Sequence, residues 1–235
     1  PNSNSRVTTP IDRYSTTQQL KLNFGATTNL VFNTRFTQEK IQNEIAVANN
    51  GVTIYSIGKE SIKDANLSAS LNHRFSTTLK TSIRAYTTTY DAVQNLVTIN
   101  GLPYRDVLNH NFKRIENQTD WDIQKKLQAV FGIGAVWEGV KSSRYDSEQI
   151  RKQNEIQYAF TQWEWKPTEK FTFIGGLRFD NNTQFASALS PKVSMLYKLN
   201  PQHQFKLSIG QGFKAPDFRQ LFLDFTNAAA GSYSV

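Results

Sequence analysis

Few residues in this sequence are placed to do covalent chemistry. There is no cysteine, so neither a thiolate nucleophile nor a disulfide framework is available. The three histidines, His73, His110 and His203, have no spacing that would gather a metal ion, and no metal site or cofactor is expected. No Gly-x-Ser-x-Gly elbow or comparable nucleophile turn occurs. The carboxylates Glu164 and Asp180 stand beside Lys166 and Arg178, which read as their ion-pair partners. The sequence points away from an enzyme. What remains is recognition. Tyr104, Arg105, Arg144, Tyr145, Asn181 and Asn182 fall in polar stretches between apolar runs. Aromatic, guanidinium and amide groups suit an anionic or hydroxyl-rich ligand through stacking and charge-assisted hydrogen bonds. These six are the candidate ligand-binding residues.

Formal net charge is +8, yet the longest basic pair is Lys125-Lys126 and no nucleic-acid motif is present, so nucleic acid is not expected as a partner. No apolar run approaches the roughly 18 residues of a membrane-spanning helix. Mean hydropathy is −0.51, which leaves a membrane barrel open: each barrel strand needs only about 9–11 residues, alternating apolar and polar.

The elements that carry these residues read as strands. Leu127, Ala129, Phe131, Ile133, Ala135 and Trp137 give the cleanest alternation, against Gln128, Val130, Gly132, Gly134, Val136 and Glu138. Similar patterns run through Leu20–Phe24, Leu30–Phe36, Leu67–Leu71, Leu79–Thr87, Ile156–Trp165 and Phe171–Asp180, with a weaker one over His110–Gln124. Val193, Met195 and Tyr197, then Phe205, Leu207 and Ile209, flank an Asn200-Pro201 turn as an antiparallel hairpin. Gly210, Gly212 and Pro216 end that run, and Asp217 with Gln220 forms a capping-box pattern for a short helix bearing Phe218, Leu221, Phe222 and Phe225. The expected fold is all-β, an antiparallel meander of about ten strands, preceded by a loop or linker over residues 1–17.

The connections alternate in length. Gly25–Thr28, Phe75–Thr78, Lys125-Lys126, Lys166–Glu169 and Asn200–His203 are short, whereas Glu39–Asp64, Asp91–Asn109, Gly139–Gln153 and Asn181–Leu189 read as long polar loops. Short turns at one rim and long loops at the other are the pattern of an outer-membrane barrel. Trp121, Trp163 and Trp165 fall at the short-turn rim, Trp137 and Tyr90 toward the long-loop rim, where aromatic girdles belong. Lys21, Arg35, Arg74, Lys80, Arg84, Lys192, Lys198 and Lys206, with Glu138 and Asp180, are expected on the inward face. Taken alone, the residues also allow a soluble or surface-displayed β-domain that binds glycan or protein.

The order of motifs narrows this. Ser190-Pro191-Lys192 and Tyr197-Lys198, a turn, then FKLSIGQGFKAPDFRQLF over Phe205–Phe222 closely resembles TonB-dependent outer-membrane receptors, most specifically at Gly212-Phe213-Lys214-Ala215-Pro216 with Leu221-Phe222 beyond. FTFIGGLRFD over Phe171–Asp180 is similar to the family's Gly-Leu-Arg-Tyr-Asp strand, with Phe179 in place of tyrosine. The resemblance implies the bacterial outer membrane, outer-membrane lipid around the wall, and import of a scarce nutrient (ferric siderophore, haem, cobalamin or oligosaccharide) with energy from the TonB complex. It also implies that residues 18–235 are part of a larger barrel of about twenty-two strands without the family's plug domain, through which TonB acts. Arg35, Arg84, Arg178 and Lys206 are the candidate plug-facing residues.

Overall fold

The computed structural model describes residues 10–49, 52–98, 103–145 and 150–223. They form one antiparallel sheet of ten strands in sequence order: β1 (Ile11–Phe24), β2 (Thr28–Asn49), β3 (Val52–Arg74), β4 (Leu79–Thr98), β5 (Pro103–Gln124), β6 (Leu127–Ser142), β7 (Lys152–Trp165), β8 (Phe171–Asn182), β9 (Ala188–Lys198) and β10 (Gln204–Gly210). A single short helix follows, α1 (Phe218–Phe222). The sheet is not closed: β1 and β10 are its edges.

Register decides the faces, because residues opposite one another in antiparallel strands project to the same side. Following the pairs Leu20↔Phe32, Phe32↔Ala69, Ala69↔Ala85, Ala85↔Ile115 and Ile115↔Ala135 across the sheet traces one apolar face. It continues through Ile133↔Ala159, Ala159↔Phe179, Phe179↔Leu189 and Val193↔Ile209. Leu127, Phe131, Ile133, Trp137, Phe171, Phe173, Phe205 and Leu207 all lie on it. Gln128, Glu138, Arg178, Lys206 and Ser208 lie on the other, with all ten charged residues expected inward. The apolar face is bare: Ile133, Leu207 and Ile209 are 63%, 66% and 74% exposed. An apolar surface of this extent, with no second layer over it, calls for a nonaqueous neighbour.

The polar face is tied by side chains. Arg13–Glu39, Arg35–Asp64, Arg84–Glu116 and Arg178–Asp180 are ion pairs at 2.7, 3.1, 3.2 and 2.7 Å. Tyr158 on β7 reaches across β6 to donate to Glu116 at 2.6 Å. It can do so because Gly134 lies beneath: a Cβ there would come within 2.5 Å of the Tyr158 ring. Arg178 covers the other side of that ring at 4.1 Å, so one chain of contacts spans β4 to β8.

Three expectations are corrected. Glu39–Asp64 and Asp91–Asn109 are not loops: β2 and β3 pair continuously to Asn49↔Val52, and β4 and β5 to Val97↔Pro103. Here both faces are polar (Gln38 and Lys40 on one, Glu39 on the other), so hydrophobic alternation carried no signal. β1 begins at Ile11, inside the stretch read as a linker, because Ile11–Thr17 pairs with Arg35–Ile41. Tyr90, opposite Asp64 and His110, lies on the polar face and so is not part of a girdle on the apolar one. Trp121, Trp137, Trp163 and Trp165 are on the apolar face. At the short-turn rim Trp163 and Trp165 belong to a band of ring contacts: Phe131 meets Trp163 edge-on at 5.4 Å, Trp165 lies 5.7 Å from Phe173, and Phe171 stacks on Tyr197 at 4.6 Å.

Candidate ligand-binding mouth

The far ends of β5 and β6 build a compact polar cluster. β5 alternates there, so Tyr104 and Asp106 share the polar face while Arg105 projects opposite. Asp106 is only 9% exposed, accepts from Ser143 Oγ at 2.5 Å and pairs with Arg144 at 2.5 Å. Ser143 Oγ in turn accepts from the Val107 amide at 3.0 Å, and the Arg144 amide donates to Ser142 Oγ at 3.1 Å, which clamps the turn onto β5. Arg144 also bonds the Tyr104 phenol. Burial first, then Asp106, pushes that phenol above its ordinary value of 10, against the opposing pull of Arg144. Tyr145 is pushed up chiefly by burial, with Arg219 opposing and Asp217 reinforcing.

Those last two residues belong to the cap and first turn of α1. Asp217 accepts from the Gln220 amide at 2.9 Å and its own amide donates to Gln220 Oε1 at 3.0 Å, the reciprocal capping box the sequence suggests. α1 buries Phe218, and the Lys152 ammonium at the start of β7 sits 5.5 Å from the Phe222 ring. Phe225 lies outside the described residues. The mouth is therefore lined by phenols, phenyl rings and cations, with Asp106 holding Arg144 in place.

A family model described as TonB dependent receptor-like, beta-barrel matches residues 2–235. The chain belongs to this family. It is 28% identical over 107 residues to an iron-regulated outer membrane virulence protein of Vibrio cholerae serotype O1, a match covering 43% of this chain and 16% of that protein. Among solved structures, its fold is similar to the copper transporter OprC (TM-score 0.59, 14% identity, covering 92% of this chain and 46% of that one). It is likewise similar to the FrpB iron transporter of Neisseria meningitidis (TM-score 0.58, 12% identity, covering 84% and 36%). The chain spans less than half the length of each of these proteins.

Membership in the TonB-dependent receptor barrel family gives the two faces their meaning. This is a bacterial outer-membrane barrel wall: the apolar face meets lipid, the polar face lines the interior, and the long hairpins stand on the extracellular side. Strands β2 and β3, of 22 and 23 residues, exceed the roughly 9–11 that cross a bilayer. Above Phe36, Ala65 and Ile115 the outward positions turn polar, with Gln38, Lys63 and Lys113, so the outer parts of these hairpins stand in the headgroups and water.

Of the six residues expected to bind ligand, Tyr104, Arg144 and Tyr145 meet at the mouth. Arg105 is on the outward face opposite Asn95. Asn181 is also outward and accepts from Ser187 at 3.0 Å. Asn182 is inward but buried, capping the β8–β9 loop through the Gln184 amide at 2.7 Å. The sequence reading missed Asp106, Lys152, Phe218 and Phe222. Extending β5 to Pro103 would have placed Asp106 beside Tyr104 by alternation alone. Arg35, Arg84, Arg178 and Lys206, the candidate plug-facing set, all project inward.

Proposed function

We propose that this chain forms wall and mouth of an outer-membrane receptor that captures a scarce, anionic, metal-bearing nutrient and passes it inward with energy delivered through TonB. The observation that carries the reading is the inward cluster of Tyr104, Arg144, Tyr145 and Lys152 at the extracellular end, clamped by Asp106. Phenol rings and cations together bind a flat or hydroxyl-rich anion, as an iron chelate is. The names of the similar proteins, an iron-regulated outer membrane protein and an iron transporter, favour iron, and ferric siderophores are the first candidates. In the same reading the inward Arg35, Arg84, Arg178 and Lys206 meet a plug domain inside the barrel, and strands paired to β1 and β10 complete the wall.

The test is uptake of radiolabelled ferric siderophores, haem and cobalamin by cells producing the receptor, with and without TonB. Arg144→Ala is expected to lower saturable uptake at unchanged surface abundance, whereas Arg105→Ala, on the outward face, leaves it intact. Equal uptake in the absence of TonB removes the energy assignment. Unchanged uptake in Arg144→Ala and Tyr145→Ala removes the mouth.

A further inference from the structure

Two amide groups of the inner wall are left idle side by side at the mouth. Asn154 Oδ1 and Asn182 Nδ2 are buried and have no hydrogen-bond partner among the described residues. Asn182 is only 9% exposed, and its Oδ1 accepts from the Gln184 amide at 2.7 Å, so the Nδ2 donor is its free end. Both residues face inward. Asn182 stands opposite Ile156, and Asn154 is the next inward residue of β7, opposite Glu138. Diagonal neighbours of this kind lie about 7–8 Å apart, a separation that one oxygen atom bridges. The nearby acids are engaged elsewhere: Glu138 by His110 at 2.7 Å, and Asp180 by Arg178 at 2.7 Å. The chain returns over this point after β10. Gly210 stands beside Lys192, and the Gln211 amide donates to the Pro191 carbonyl at 2.9 Å. Further on, Asp217 and Arg219 act on the Tyr145 phenol, and the Phe222 ring lies 5.5 Å from Lys152, the inward neighbour of Asn154 on β7. β10 and β7 are three strand spacings apart, roughly 14 Å. The segment into α1 therefore crosses the inner ends of β9 and β8, and Asn182 closes β8.

We propose that Asn154 and Asn182 together read one hydroxyl group of the captured nutrient. A hydroxyl donates to Asn154 Oδ1 and accepts from Asn182 Nδ2 at once, which neither a carbonyl nor an ammonium group can do. A buried donor and a buried acceptor left idle together cost the empty mouth free energy, and a single hydroxyl satisfies both. The phenols and cations of the mouth hold the body of an anion; the amide pair adds selection at one point, with α1 as its roof. The pair is a specificity determinant of the capture site, and the inference rests on the reading of the mouth as that site.

Binding to the whole receptor purified in detergent, followed by quenching of its tryptophan fluorescence, tests this with two probes. One is an anionic ferric tris-catecholate whose three arms each carry a free alcohol; the other is the same chelate with hydrogen in place of those hydroxyls. The alcohol is expected to bind roughly tenfold or more tightly than its deoxy counterpart. Asn182→Asp keeps the acceptor that caps Gln184 but removes the free donor, and is expected to abolish the preference. Asn154→Asp adds the same charge and keeps its acceptor, and is expected to retain the preference. The barrel's heat-dependent electrophoretic mobility reports that each variant is folded. Equal binding of the two probes by the unaltered receptor, an unchanged preference in Asn182→Asp, or loss of it in Asn154→Asp as well overturns the amide pair and leaves the mouth standing. A receptor that binds neither probe overturns the mouth as a capture site for an iron chelate, and the amide pair with it.

Discussion

At the scale of single residues, the interior wall works because two glycines leave room for two rings. A Cβ at Gly132 would come within 2.2 Å of the Phe160 ring, and one at Gly134 within 2.5 Å of Tyr158, whereas one at Gly175, on the lipid face, meets nothing within 4 Å. Gly132→Ala is therefore expected to cost about 1–3 kcal/mol through overpacking, and Gly175→Ala to be neutral or slightly stabilising. Urea unfolding in lipid bilayers compares them; equal midpoints would mean the rings move aside freely. The mouth phenols supply a pH prediction. Tyr104 has a folded-state pKa raised above about 10. Its contribution to stability is fully present below pH 10 and lost as pH rises through the raised value. The wild-type minus Tyr104→Phe difference titration, followed by phenolate absorbance, should show one phenol ionising above the free-tyrosine range. A difference curve centred at or below pH 10 contradicts the buried cluster.

Strands were legible where their two faces meet different solvents and illegible where they do not. From Leu127 to Trp137 lipid lies on one side and a polar interior on the other, so composition alternates and register can be read. In 38–42 and 57–63 water or headgroups reach both sides, and a polar strand looks like a loop; for the same reason Arg105 was grouped with Tyr104 although β5 turns them apart. The α1 cap was readable because its signal is local, Asp217 to Gln220. The contact of α1 with Lys152 joins distant segments and left no local trace. Two element-level outcomes follow. Ile133→Lys, on the lipid face, is expected to destabilise the barrel by about 2–4 kcal/mol if it lies near mid-bilayer, while Gln128→Lys, facing inward on the same strand, should cost far less. Equal losses in bilayer refolding would refute the assigned sidedness. Asp217→Ala should cost the short helix about 1 kcal/mol, read as faster amide exchange at Gln220 and Leu221; unchanged exchange would show that packing of Phe218 alone holds α1.

At the scale of the whole molecule, the decisive feature is that the ten strands of the described residues leave two edges. β1 presents 14 residues with one side of their backbone unpaired, and β10 presents 7. Within hydrocarbon each unsatisfied amide or carbonyl costs several kcal/mol, so neither edge is stable against lipid. An edge is relieved by another strand of the same barrel, by a second copy, or by closure of β1 onto β10. The register argues against closure. The inward face of β1 carries Lys21, opposite Val31, and that of β10 carries Lys206, opposite Leu196, so neither lysine meets an acid across its strand pair, whereas other interior lysines do meet a carboxylate, as in Lys80–Asp120 and Lys166–Glu164. Bringing β1 against β10 would set like charges on one inner face. The 235-residue chain reconstituted by itself is therefore expected to associate edge to edge and to show no saturable uptake. Cysteines placed at Leu20 and Leu207 should cross-link between copies and not within one. A monomer that forms the Leu20–Leu207 disulfide, resists heating like a closed barrel and takes up nutrient would show that ten strands make a complete wall.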